Sequence, residues 1–220
     1  MITTPVSWST VFIIDPLYTL PLIAGVISAL VMTRDSDRGH RLNRLGLIVS
    51  SLYLGWTVVA KVWVDRRFGD DLRSQNISDE KVFTTPAPFN SLLWRAVVMD
   101  EAGYYEAYFS VFDGDGPIQF KHYASDTKLL GGIDNDWAVQ RLQWFSRGFY
   151  AVSLRDSAVV ISDLRMGIEP DYVFQFKVGT LSNSRVESAM PQLLPVNRDL
   201  SGLSAVWRRI WNQSVELGGR

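Results

Sequence analysis

Four polar side chains stand inside apolar stretches of this 220-residue chain, and they are the first candidates for chemistry. Asn90 lies in PFNSLLW, and Asp163 and Arg165 lie in VVISDLRMG. Residues two apart on a strand share one face, so Asp163 and Arg165 are predicted either to form an ion pair or to present a polar site. Asn90, Asp163 and Arg165 form the candidate polar site, and no residue is assignable as catalytic.

The fourth side chain, Asp15, lies in FIIDPLYTLPL and is followed by Pro16. An acid before a proline is typical of a helix N-cap. The carboxylate accepts hydrogen bonds from the first turn, and proline lacks an amide hydrogen that would be unsatisfied there. An acid at the edge of a membrane is also a candidate metal ligand or proton carrier. At the level of sequence both roles stay open.

The standard catalytic and metal-binding patterns are absent from the sequence. The chain has no cysteine, which excludes a thiolate nucleophile, a cysteine zinc cluster and disulfides. Its two histidines, His40 and His122, are expected on opposite sides of a membrane, where they cannot share a metal. The acidic stretches 113–116 and 134–136 lack the spacing of a calcium loop and are predicted to be turns. With a net charge of −1, no nucleic-acid partner is expected.

Apolar residues crowd into the first third of the chain and predict a membrane hairpin over residues 1–64, with the lipid bilayer as a partner. Its spans are expected at about 11–33 and 45–64, with a polar, arginine-rich loop at 33–44. Lys61 can extend its ammonium to the headgroups. A secretory signal peptide is the alternative for the first span. The segment lacks a basic n-region and a small-residue cleavage site, and a second span follows.

Residues 65–180 are predicted to form a soluble, mainly antiparallel β domain with one or two helices, so that the fold class is α+β. The charged segment after the second span extends its helix to about Asn76, and alternation at period two follows. Residues 84–90 are expected to be extended, and a helix is expected to begin at Trp137 and end at Gly148. Strands are predicted at 92–99, 103–113, 117–123, 149–154, 158–164 and 171–178.

Residues 181–220 are predicted to be a tail, rich in Ser, Pro and Asn at first and then helical. The segment 199–217 can form an amphipathic helix that carries Trp207 and Trp211. This helix is expected either to pack on the domain or to lie on a membrane surface.

A series of motifs resembles the C-terminal half of a known family. In chain order they are FIIDPLYTLPL, NRLGLIVSSLYLGW, TTPAPFNSLLWR, GYYEAYFSVFD, WFSRGFYAV, ISDLRMG and DYVFQFKV. Together they resemble the YdjM-like family of LexA-regulated bacterial inner-membrane proteins, described as metal-dependent hydrolases. The resemblance covers about residues 8–180.

The resemblance implies a divalent metal held by a histidine motif in helices upstream of the Asp15 segment. This sequence has no such motif, so we expect a truncated member or a late start, inactive alone. Asp15 is the one residue carried over as a possible metal ligand. The alternative is a noncatalytic membrane-anchored domain that binds a lipid, a peptide or a protein.

The resemblance also implies a multi-pass protein of the bacterial inner membrane. Arginines flank both predicted spans, but the N-terminal flank has no Lys or Arg, which favours a periplasmic C-terminal domain. Small residues in the first span, Gly25, Ser28 and Ala29, predict contact with additional membrane helices or self-association.

Overall fold

A computed structural model of the protein describes residues 8–32, 37–195 and 201–218. The chain has an α+β fold, as predicted: N-terminal helices are followed by antiparallel sheets and a further helix.

The N-terminal helices are α1, Pro16–Val31, and α2, Asp37–Ser74, and they pack against each other in antiparallel fashion. The helix axes approach closely at glycines. A side chain on Gly46 would clash with the carbonyl oxygen of Pro21, and a Cβ on Gly25 would lie 3.1 Å from the Cα of Asn43. The Ser50 hydroxyl donates to the carbonyl of Tyr18, which continues the contact toward the start of α1.

The helix bounds differ from the predicted spans. Residues 11–15 precede α1, and α2 begins at Asp37, so most of the predicted polar loop is helical. Arginine favours helix as well as water, and the sequence there has no residue that prevents helix formation. Residues 33–36 lie outside the described part of the chain. Among the described residues one helix, α2, is long and apolar enough to cross a membrane; α1, with 16 residues, is shorter.

The first sheet contains β1, Val82–Pro86; β2, Leu93–Asp100; β3, Gly103–Ser110; and β4, Lys121–Ala124, in that order. The predicted returning strand therefore begins later, at Lys121. The second half of α2 covers one face of this sheet. A buried cluster joins Ala60, Val64 and Phe68 of α2 to Trp94 and Phe109 of the sheet.

The second sheet has the order β10-β9-β6-β5. Its strands are β5, Tyr150–Arg155; β6, Ala158–Asp163; β9, Gln175–Ser182; and β10, Arg185–Leu193. A small hairpin of β7, Gly167–Ile168, and β8, Asp171–Tyr172, lies between β6 and β9. A 3-10 turn, Thr127–Leu130, and helix α3, Trp137–Phe145, supply buried residues to the outer face of this sheet.

Two parts of the C-terminal prediction differ from the structure. The single strand predicted at 171–178 is divided into β8 and β9, and the sheet continues beyond the predicted domain end at residue 180 through β10. Asn183 and Ser184 both have positive φ and form a two-residue turn that joins β9 to β10. Ser and Pro are tolerated in β10 because it is an edge strand.

The face of the first sheet opposite α2 meets the segment around the small hairpin and a further helix. Val97 and Tyr104 pack with Leu164 and Tyr172, near the small hairpin. Helix α4, Ser201–Trp211, covers the end of the sheet where β2 begins, and its buried residues Val206 and Ile210 pack with Ala87 and Leu93. The segment predicted as an amphipathic helix is thus docked on the domain by its buried face.

We expect Phe68→Ala to destabilise the protein by about 3–5 kcal/mol, because the cavity would open between α2 and the sheet. Trp137→Ala is the matched control, since Trp137 is 76% exposed. Denaturant unfolding in detergent, followed by circular dichroism, measures both variants. Equal losses of unfolding free energy in the two variants would show that Phe68 of α2 is not part of a buried core with the first sheet.

Candidate functional site

A cavity of about 390 Å³ lies where the chain enters α1 and the domain begins. Phe12 and Ile13, just before α1, form one part of its wall, and Ala87 of the β1–β2 connection, Phe174 and Val206 of α4 form others. This volume is in the range of small-molecule pockets, about 300–1,000 Å³. We call it the junction cavity.

Two of the predicted site residues, Asp163 and Arg165, lie together in the wall of the junction cavity. Nη2 of Arg165 is 2.6 Å from Oδ2 of Asp163, and Nε is 2.9 Å from Oδ1. The backbone N–H of Arg165 also donates to Oδ1, at 3.0 Å. The two residues therefore form a closed, bidentate ion pair in the cavity wall.

The third predicted residue, Asn90, is fully buried and lies apart from that pair. Its Oδ1 accepts from the backbone N–H groups of Leu92 and Leu93, at 2.9 and 2.8 Å, and its amide donates to the carbonyl of Pro88, at 3.0 Å. Asn90 thus holds the β1–β2 connection in shape.

The cavity wall also contains Arg95 and Tyr108, which belong to a buried polar network that sequence reasoning missed. Nη2 of Arg95 lies 2.9 Å from Oε2 of Glu106, and Nη1 donates to the carbonyl of Leu164 at 2.7 Å. The Tyr108 hydroxyl donates to Oε1 of Glu106, and the Tyr172 hydroxyl donates to Oε2 at 3.1 Å.

The network extends from Tyr172 toward the small hairpin. The hydroxyls of Tyr172 and Tyr104 lie 2.9 Å apart, and Tyr104 donates to Glu169 at 2.7 Å. Nε of Arg95 is buried and has no hydrogen-bond partner among the described residues. The available sequence signal was one charge in the middle of each of two apolar strands, Arg95 in LLWRAVVM and Glu106 in GYYEAYFS.

Burial and pairing set the charge states of this network. Burial would raise the pKa of Glu106, but the Arg95 charge and the hydrogen bonds of Arg95, Tyr108 and Tyr172 outweigh it and hold that pKa below its ordinary value. Burial would lower the pKa of Arg95, and Glu106 reverses this and raises it. Burial raises the pKa values of Tyr104, Tyr108 and Tyr172. At neutral pH the pair is ionised and the tyrosines are protonated hydrogen-bond donors.

Asp15 is the N-cap of α1, as one of its two interpretations predicted. Its Oδ1 accepts from the N–H of Leu17 at 2.9 Å, and its Oδ2 accepts from the hydroxyl of Tyr53 at 2.6 Å. The Tyr53 hydroxyl also lies 3.0 Å from Oγ of Ser91, to which Nε1 of Trp56 donates at 3.1 Å. This cluster joins α1, α2 and the β1–β2 connection.

The surroundings of Asp15 do not fit a metal ion. Both carboxylate oxygens already accept from N–H or O–H groups, and within the described residues no three His, Asp or Glu side chains come together. His40 lies on α2 and His122 on β4.

Comparison with protein families, with characterised proteins and with solved structures finds no match. The resemblance to the YdjM-like family stays a prediction.

We expect Asp15→Ala to destabilise the protein by about 1–2 kcal/mol through loss of the cap, and Asp15→Asn to cost less because asparagine caps nearly as well. Thermal unfolding in detergent, with and without EDTA, measures this difference. A metal at Asp15 would instead be supported if both variants lost equal stability and the wild type lost the same amount in EDTA.

Glu106→Gln should remove a pH dependence from the stability of the protein. The pKa of Glu106 is lower in the folded than in the unfolded state, so its ion pair stabilises fully above the ordinary value of 4.5 and loses this effect as the pH falls further. Unfolding from pH 7 to pH 3 measures the slope. Asp70→Asn is the control, since the Asp70–Arg73 pair is exposed. A wild-type slope unchanged by Glu106→Gln would contradict the network.

Proposed function

We propose that the protein is a noncatalytic, membrane-anchored binding domain whose junction cavity takes the apolar chain of a lipid-like amphiphile. One observation carries the proposal: the wall of an apolar cavity is shared between the segment that leads into α1, a helix with an exposed apolar surface, and the β domain.

The membrane anchor is supported by the outer surface of α1 and α2. Leu20, Leu30 and Leu52 are 60%, 77% and 69% exposed, and the other exposed apolar side chains of the two helices share this surface. Only 28% of the most apolar window of α2 is buried, whereas the core helix of a soluble protein is mostly buried. Water disfavours such a surface, and lipid accepts it.

The two helices would cross the bilayer as a pair. At 1.5 Å per residue α1 is about 24 Å long, somewhat short of a 30 Å hydrocarbon core. The exposed Ile13 and Ile14 just before it extend its apolar surface toward the domain. The multi-pass arrangement in a bacterial inner membrane, with the domain on the periplasmic side, is part of this proposal.

The position of the cavity favours a ligand that comes from the bilayer. Ile13, in its wall, lies two residues before the N-cap of α1, and Phe12 packs edge-on against Phe89 with ring centroids 5.6 Å apart. A cavity at this place opens beside the membrane edge, where acyl chains are the most abundant apolar ligands.

The chemistry of the wall favours binding over catalysis. Its arginines, Arg95 and Arg165, are each paired with a carboxylate, so the wall is close to neutral. The Arg165 guanidinium can hydrogen-bond a polar headgroup, and apolar side chains can cover the chain. The hydrolase activity implied by the family resemblance stays a prediction, since no nucleophile or general base is assigned to the described residues.

A photoactivatable diazirine fatty acid, incorporated into vesicles with the full chain, tests the cavity. We expect cross-links in the cavity segments 83–88 and 163–168 as well as on α1 and α2. Met166→Trp should fill part of the cavity and lower the cross-links there by at least about tenfold, equivalent to about 1.4 kcal/mol.

Met190→Trp is the matched control, because Met190 is 89% exposed on β10 and does not line the cavity. Cross-links on α1 and α2 report equal exposure to lipid in every sample. Cavity cross-links that are absent from the wild type, or that Met166→Trp leaves unchanged, would overturn the binding proposal.

A further inference from the structure

We propose that an aromatic patch on α4 and the β3–β4 connection inserts into the interfacial layer of the same bilayer, so that the domain contacts the membrane at a second place. The patch consists of Phe112, Trp207 and Trp211. The inference rests on the membrane anchoring proposed above and goes beyond it.

The patch exposes large aromatic side chains that packing within the domain does not explain. Phe112, Trp207 and Trp211 are 56%, 46% and 67% exposed. The rings of Phe112 and Trp211 stack with centroids 4.6 Å apart and planes 19° apart, which makes them one flat surface. Trp207 and Trp211 are one helical turn apart and share a face of α4. Tryptophan is enriched where protein meets the bilayer interface.

The orientation of the patch is set by the opposite face of α4. Val206 and Ile210 are buried against the first sheet, and Arg209 forms a buried ion pair with Asp113 at 2.7 Å. Arg209 also donates to the carbonyl of Tyr108 at 3.1 Å. These contacts keep Trp207 and Trp211 directed outward.

Hydrogen bonds place the patch at the level where α2 enters the domain. The Ser110 hydroxyl donates to the carbonyl of Ile210 at 2.7 Å, beside Trp211. The next residue, Val111, donates to the carbonyl of Leu92 at 2.8 Å. Leu92 follows Ser91, which accepts from Trp56 of α2. The path from Trp56 to Trp211 thus crosses two adjacent strand ends of the first sheet.

The exposed apolar surface of α2 places the bilayer edge at this same level. It begins at Leu42, and Trp56, about 21 Å farther along at 1.5 Å per residue, lies where α2 meets Ser91 of the domain. Trp56 and Trp63 are 40% and 44% exposed near its domain end. The aromatic patch lies at the same end of the first sheet as Trp56, on the opposite face from α2.

The bilayer is the occupant that the surroundings of the patch favour. Arg208 is exposed beside Trp207, where its charge can meet lipid phosphates. Tryptophan and arginine together at the end of a lipid-facing surface are typical of an interfacial anchor. A protein partner on the patch is an alternative outcome of the test.

Because the chain has no cysteine, spin labels can be attached at single introduced cysteines in the full-length protein. The variants are Phe112→Cys and Trp211→Cys on the patch, Leu52→Cys on α2, and Glu101→Cys at the exposed turn beyond the far end of β2. Each is reconstituted in vesicles of phosphatidylethanolamine and phosphatidylglycerol. Electron paramagnetic resonance measures collision of the label with oxygen, which is enriched in lipid, and with a water-soluble nickel chelate.

We expect the oxygen-to-nickel collision ratio at positions 112 and 211 to exceed that at position 101 severalfold, and the ratio at 52 to be higher still. Lipid values at 52 with aqueous values at both patch positions would overturn the patch and leave the anchor intact. An aqueous value at 52 would overturn the anchor itself. Patch labels shielded from both reagents would indicate a protein partner and also overturn the inference. Trp207→Cys repeats the measurement if one patch variant does not fold.

Discussion

The continuity of α2 is the constraint on which the rest of the structure depends. Its first half presents apolar side chains outward, and its second half buries Ala60, Val64 and Phe68 against the first sheet. Because both halves belong to one continuous helix, the side of α2 that faces outward at Leu52 fixes the position of the first sheet relative to α1. The cluster of Asp15, Tyr53 and Ser91 then joins both helices to the sheet. The junction cavity lies where these constraints meet.

The ion pair of Arg95 and Glu106 fixes the relative positions of elements inside the domain, as α2 does for the helices and the first sheet. Both charges are almost fully buried, so each requires the other and the hydroxyls around it. Because Tyr172 and the carbonyl of Leu164 are among the partners, the network ties the first sheet to the segment around the small hairpin. That segment carries Asp163 and Arg165 into the cavity wall. Because the buried Arg95–Glu106 pair requires all of these partners, it fixes how the two sheets meet beside the cavity.

The sequence predictions succeeded where an element is determined by neighbouring residues. They failed where it is determined by contacts between distant parts of the chain. Apolar runs of strand length, with alternation in β3, predicted β2, β3, β5 and β6 closely, because the burial of these strands is visible in their own residues. The same approach missed β10, whose side chains are largely exposed and whose residues suit a loop equally well. It also joined β8 to β9, because a run of aromatic residues does not show where the chain leaves one sheet for another.

Local chemistry settled the cap at Asp15: an acid followed by proline suits the first turn of a helix in any tertiary context. The α+β class and the apolar helices likewise follow from periodicity and composition. Distant packing settled the partners of Arg95, Glu106 and Tyr172, which are separated by up to 77 residues. It also settled the cavity, whose walls come from Phe12, Ala87, Phe174 and Val206. Such contacts depend on strand register and on how sheets stack, and neither is encoded in any short stretch of residues.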